Sequence, residues 1–486
     1  MEQAFRVQAR SQGAEAGLGR AFVAIVSLGL AVTLFTGSDV PPKSQLLGTV
    51  AALGLAFVLV NPRISDLRWP DLFAPISFPA LYVVFSFMAP AWAHQINGTH
   101  FAVDVGGVSQ SPNTFGLMAA SSLAFAAGCC LVRPRKWVGW SIGEAKLAAE
   151  PYLLGFRVCG LAAVAIMLYQ TATESLGQRG INQFTSGHSI LDVAAPILCV
   201  VYVAGVGMTN VHRHALRPFA RVDGVIIVAL ILLPSLLGDR NVADSVVIAL
   251  GLVLAMAGRL NLLKVAIGVG ALLAISILVL AYRSSDADQA HPPSKIDSVL
   301  GDLAPAEFST GVVAVKVPES SPYAYGSTVS ASLVRLLPSP VFPLVGVSSA
   351  AESQSTASFA FRNLIGYTDP NNGLGFSIPA EGYLNFGFAG MLGACFLYGA
   401  LLSIAWRRLR RGRSVTALAS YVVLVGTLPI CMRSDALGLG KGVLYPIFII
   451  ALIEWWSRNG RSNSTSYDAP RPIWAATTTG QRRGLE

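Results

Sequence analysis

Charge is what this chain has least of. Of its 486 residues only 13% are Asp, Glu, Lys or Arg while 53% are hydrophobic; soluble domains carry about one quarter charged residues, so a soluble globular protein is excluded. Histidine and cysteine are scarce as well, six of each. Cys129, Cys130, Cys159, Cys199, Cys395 and Cys431 fall inside or at the ends of apolar runs, where thiols behave as small apolar groups. Their spacing matches neither a disulfide framework nor a zinc site. A P-loop and a dinucleotide-binding fingerprint are also missing. The connections between apolar runs on one side are too short to fold as a catalytic domain.

What the chain has in excess is apolar runs of the length a helix needs to cross a bilayer, roughly 20 residues. Twelve spans are expected, near 21–37, 45–61, 72–93, 114–132, 152–170, 189–209, 222–237, 242–258, 262–282, 386–406, 415–430 and 439–456. They must be helices, because lipid offers no partner for an unpaired backbone group. The expected fold is therefore an all-α polytopic membrane protein. Arg6, Arg10 and Arg20 precede the first run, but a second run follows closely, so residues 1–20 read as a cytoplasmic N-terminus before an uncleaved span. Basic residues gather at Arg133, Arg135 and Lys136, and again at Arg407, Arg408, Arg410, Arg411 and Arg413. The positive-inside rule puts both clusters in the cytoplasm, which requires an even number of spans and two inner termini. The net charge of +9 follows from that asymmetry and needs no nucleic-acid partner. Residues 457–486, rich in Ser, Thr, Arg and Gly, read as a disordered cytoplasmic tail.

Between the ninth and tenth spans lies a long extracytoplasmic loop, residues 283–385. Loops of this length are functional or disordered. Its first part, with Asp286, Asp288, Pro292 and Pro293, reads as flexible, and 329–337 as an interfacial helix stopped by Pro338, Pro340 and Pro343. The loop exit, GLGFSIPAEGYLNFGFAG from Gly373 to Gly390, brings Glu381 to the membrane border. An ionisable group at such a border marks a wet cavity or a site. Two outer turns, Gly238-Asp239-Arg240-Asn241 and Cys431-Met432-Arg433-Ser434-Asp435, each add an arginine. With Arg362 of the loop they would make a cationic pocket, since guanidinium groups stay charged and grip phosphate oxygens in pairs. The same residues admit a structural reading. Arg240 and Arg433 would snorkel to headgroups, Asp239 and Asp435 would cap helices, Glu381 would complement a helix dipole, and Tyr383 and Phe386 would anchor at the interface.

The layout, the late outer loop, the loop-exit segment and the GDR and RSD turns together resemble the bacterial O-antigen polymerases, the Wzy-type oligosaccharide repeat-unit polymerases. Ten residues separate Arg240 from Gly251 and Arg362 from Gly373, a spacing similar to the arginine–glycine pattern of that family. The resemblance implies a GT-C-like polymerase or ligase architecture in the bacterial inner membrane. It also implies transfer of a growing glycan from undecaprenyl diphosphate, outside the cytoplasm, in lipopolysaccharide, capsule or exopolysaccharide synthesis. Arg240, Arg362 and Arg433 would hold the diphosphate, Glu381 would be the base with Asp369 as second choice, and Tyr383 would stack on sugar. No metal or cofactor is expected. The expected partners are lipid-linked donor and acceptor oligosaccharides, membrane lipids and a chain-length regulator. An O-antigen ligase is the near alternative; it would be expected to use a histidine of the outer loop, where only His291 stands. A flippase is the distant one, for which deep intramembrane charges would be expected. The orientation is directly testable: a phosphatase reporter fused after Arg413 stays inactive on the cytoplasmic side, whereas one inserted at Ser320 is active.

Overall fold

The computed structural model describes residues 42–60, 73–97, 113–131, 150–173, 189–212, 219–284, 305–337, 344, 356–366, 376–411 and 415–462. Among them the chain is all-helical, with 85% helix and no strand. The expected first span, 21–37, and the proline-rich start of the outer loop lie outside the described residues.

Eight helices come first: α1 (Pro42–Val60), α2 (Phe78–Asn97), α3 (Thr114–Cys129), α4 (Glu150–Thr173), α5 (Ser189–His212), α6 (Arg221–Leu236), α7 (Arg240–Met256) and α8 (Leu262–Ser284). Three short ones follow, α9 (Pro305–Lys316), α10 (Ser327–Arg335) and α11 (Ala357–Leu364). The chain then returns through α12 (Ile378–Arg411), α13 (Val415–Gly426), the single turn α14 (Leu428–Cys431) and α15 (Ala436–Ser462). By length and composition four helices can cross a membrane: Tyr152–Thr173, Val193–Val211, Ile378–Leu409 and Ala436–Ser457. Shorter apolar helices at Gln45–Gly54, Phe78–Ala91, Thr114–Cys129, Leu263–Leu272 and Val415–Gly426 pack among them. Two expectations are revised. Helix α15 runs to Ser462, into the segment read as tail, and the outer loop carries helices α9 and α11 that its composition did not announce.

At the centre stands α13, packed against α5, α7, α12 and α15. Leu418, Ala419, Tyr421, Val422, Val423 and Val425 are fully enclosed. Its first turn is held by Glu454 of α15, whose carboxylate accepts from the Thr416 amide at 2.9 Å and from its hydroxyl. Near the start of α6, Asp223 accepts the Arg157 guanidinium through both oxygens at 3.0 and 3.1 Å and the Tyr202 hydroxyl at 3.0 Å. That carboxylate is buried but has its charge and lone pairs matched, which is the condition for enclosing an ion.

Helix α3 is buried along its whole length and lies against α12. The approach is backbone to backbone. A Cβ at Gly128 would stand 2.1 Å from the Phe396 carbonyl oxygen, and one at Gly399 2.2 Å from that of Phe125. Small residues serve helix contact in lipid, where association gains little from the hydrophobic effect and depends on close packing.

Helix α12 is two limbs. Phe386 (φ −140°, ψ 22°) and Gly387 (φ 62°, ψ −152°) leave helical geometry, and the second of these conformations is open only to glycine. In a straight helix Gly382 and Gly390 would be about 12 Å apart. Here a Cβ on Gly390 would lie 2.2 Å from the Gly382 carbonyl oxygen, so the short limb folds back on the long one. The long apolar limb thus starts at Phe388, and residues 378–385 belong to the crown formed with α9, α10 and α11. Gly128→Val should lower the detergent melting temperature by the equivalent of about 1–3 kcal/mol, as forced overpacking does. Gly393→Ala, on the same helix with open space around it, should leave it unchanged.

Candidate functional site

The turn between α14 and α15 organises the site. A helix start exposes amide donors that its own turns cannot satisfy. Asp435, immediately before α15, fills one role: its Oδ1 accepts from the Gly438 amide at 3.0 Å, an N-cap bond. Its Oδ2 accepts from the Ser358 hydroxyl of α11 at 2.7 Å. Glu381 fills a second role from the short limb of α12. Its Oε2 accepts from the Ala436 amide at 2.5 Å and its Oε1 from the Thr328 hydroxyl of α10 at 3.0 Å. Two carboxylates, 4% and 6% exposed, therefore meet at one helix N-terminus.

Glu381 is held in place by Asn385, one turn on. The Asn385 amide donates to the Thr328 hydroxyl at 2.7 Å and to the Glu381 carbonyl at 2.8 Å, while its oxygen accepts from the Gly326 amide at 2.8 Å. Burial raises the pKa of Glu381 to about 7; the neighbouring Asp435 charge adds to the rise, while the Ala436 amide and Thr328 hydroxyl oppose it. A carboxylate so tuned can exchange a proton near neutral pH.

The arginines form the second half. Arg433, two residues before Asp435, extends toward Asn241, with Nη1 3.5 Å from its side-chain oxygen. Arg240 opens α7, is 7% exposed, and has Nε 3.6 Å from Asp244. Arg240, Asp244 and Arg433 share the electrostatic neighbourhood of the buried Tyr82 hydroxyl on α2. The two outer turns singled out in the sequence are thus adjacent.

The other expected residues fall elsewhere. Arg362 is half-buried on α11, one turn beyond Ser358. Asp239 occupies the N-cap position of α7 without a side-chain cap bond. Tyr383 is half-buried and packs against both apolar clusters; Phe386 at 56% and Tyr325 at 74% are more exposed. Asp369 and His291 lie outside the described residues. Among the described residues no three His, Cys, Asp or Glu side chains group as a metal site would need. The sequence reading missed Thr328, Ser358, Asn241 and Asn385. Only Asn385, four residues after Glu381 and so on its face of the helix, carried a usable signal.

No family model matches the chain, and no curated protein or solved structure matches it either. Asn385→Leu removes three hydrogen bonds and strands buried partners. The detergent melting temperature should fall by the equivalent of about 1–3 kcal/mol. Thr328→Val, which removes two of the same network's bonds, should lower it less.

Proposed function

We propose that the chain is a metal-independent membrane glycosyltransferase that joins polyprenyl-diphosphate-linked oligosaccharide repeat units on the extracytoplasmic face of a bacterial inner membrane. In this reading it has twelve spans and both termini in the cytoplasm. The observation that carries the proposal is the buried carboxylate Glu381, poised near neutrality at the α15 N-terminus, with Arg433 in the turn that also supplies Asp435 and extending from there toward the Asn241 turn that carries Arg240. A proton acceptor beside cations is what attack on a diphosphate-activated sugar demands, because the leaving group needs charge stabilisation and the nucleophile needs a base.

The acceptor hydroxyl adds to the anomeric carbon of the donor glycan while the bond from that carbon to the diphosphate oxygen breaks. The electron pair leaves with the diphosphate, whose charge Arg240 and Arg433 neutralise, with Arg362 assisting from α11. The hydroxyl proton passes to Glu381. Asp435 keeps the proton affinity of Glu381 high enough for that task, and Thr328 and Asn385 fix its direction. Asp369 is a reserve base; Tyr383 and Asp239 shape the surroundings.

The test is glycan ladder formation in a deletion strain complemented with wild type, Glu381→Gln or Arg240→Ala, with membrane levels matched. Each variant should give single-repeat product only, with polymerisation down about 10²- to 10⁴-fold; a full ladder from both overturns the assignment. In membranes, the wild-type rate should rise with pH through about 7, where Glu381 loses its proton. Asp435→Asn removes the neighbouring negative charge, so that limb should move to lower pH.

A further inference from the structure

A repeat-unit polymerase binds two lipid diphosphates at once, and chemistry separates their positions. The donor's diphosphate sits on the reacting carbon, so its cations must lie beside the base. The acceptor's diphosphate is at the far end of its oligosaccharide from the reacting hydroxyl, so its cations must lie at a distance. The proposed reaction gives Arg240 and Arg433 the first role. A different pair of cations meets the second.

Helix α10 seats its C-terminal end on α15. The Tyr445 hydroxyl donates to the Leu336 carbonyl at 2.7 Å, and a Cβ added at Gly440 would stand 2.7 Å from the Leu336 side chain. That contact sets Arg335, in the last turn of α10, beside Lys441 of α15, and both are half-buried. Two like charges are held together at a helix contact, and neither forms an ion pair among the described residues. The nearby anion, Asp435, already has its oxygens engaged by Ser358 and Gly438. A site with this charge excess accepts an anion from outside. Thr328 and Arg335 are seven residues apart and so share one face of α10, about 10 Å apart along its axis. One face of a single helix thereby presents a hydroxyl to Glu381 and, two turns on, a guanidinium beside Lys441.

We propose that Arg335 and Lys441 form a second diphosphate-binding site, the one that holds the lipid-linked acceptor. This rests on the polymerase reading for the identity of the ligand, but its test does not require turnover. Purified protein in detergent is titrated with undecaprenyl diphosphate, and bound lipid per chain is read by native mass spectrometry. Phosphatidylglycerol is titrated in a parallel arm. Wild type should take about two diphosphate lipids, the R335Q/K441Q double variant about one, and K441R should restore the second, as expected of charge-assisted phosphate contacts. The R240Q/R433Q double variant should lose the other. A single site in wild type, or unchanged stoichiometry in R335Q/K441Q, overturns the proposal. Equal retention of phosphatidylglycerol at that site also overturns it, because the pair would then be a headgroup anchor. Normal ladders in the deletion strain itself would sink the polymerase reading while leaving this stoichiometry to stand or fall by itself.

Discussion

One helix start governs the crown of this protein. The first amides of α15 have no partners within their own helix, and they are satisfied by two carboxylates that arrive from different directions: Asp435 from the preceding turn and Glu381 from the short limb of α12. Each carboxylate brings a further element with it. Ser358 ties α11 to Asp435, and Thr328 ties α10 to Glu381. Helices too short to be stable alone in water, as α10 and α11 are at nine and eight residues, owe their order to such tertiary bonds. An apolar cluster completes the arrangement, with Phe361 of α11 edge-to-face with Phe308 and tilted against Phe376, at ring-centroid distances of 6.0 and 5.1 Å.

Below the crown the bundle is held by different means. Interlocked glycines let α3 and α12 touch through their backbones, and α13 is enclosed by apolar side chains, with polar pairings such as Glu454 with Thr416 at its far end. The rigid part and the polar part join along α12 and α15, which are shared by both. A site built across that junction inherits its position from the bundle and its chemistry from the crown, a division seen wherever reactive groups stand on loops carried by a rigid scaffold.

Much of this was legible in the sequence, and the rest was hidden for a definable reason. Composition alone gave an all-helical membrane protein, because hydrophobicity is a summed property that needs no knowledge of contacts. The border residues Glu381, Arg240, Arg433 and Asp435 stood out because charge is conspicuous in an apolar chain. The helix break at Gly387 coincides with the expected start of the tenth span. What periodicity could not reveal was pairing at long range. Thr328 reaches Glu381 across 53 positions and Ser358 reaches Asp435 across 77, and no local spacing encodes either. Helix α11 was overlooked because eight residues with one arginine and two phenylalanines look like loop until Phe361 finds its cluster. Tyr383 admitted two readings, a sugar platform and an interfacial anchor, because an aromatic at a border looks the same in sequence whatever packs around it.

The fold-back of α12 fixes one more quantity. Because Gly382 and Gly390 meet through main-chain atoms, the position of Glu381 relative to the long limb of α12 is set by peptide geometry and cannot be tuned by swapping side chains. A phosphate carried on a polyprenyl tail is itself confined to the headgroup layer. Under the proposed reaction, the protein and its substrate thus keep the same level independently, one by backbone contact and the other by its anchor in lipid. Lateral diffusion in two dimensions is then sufficient to bring them together.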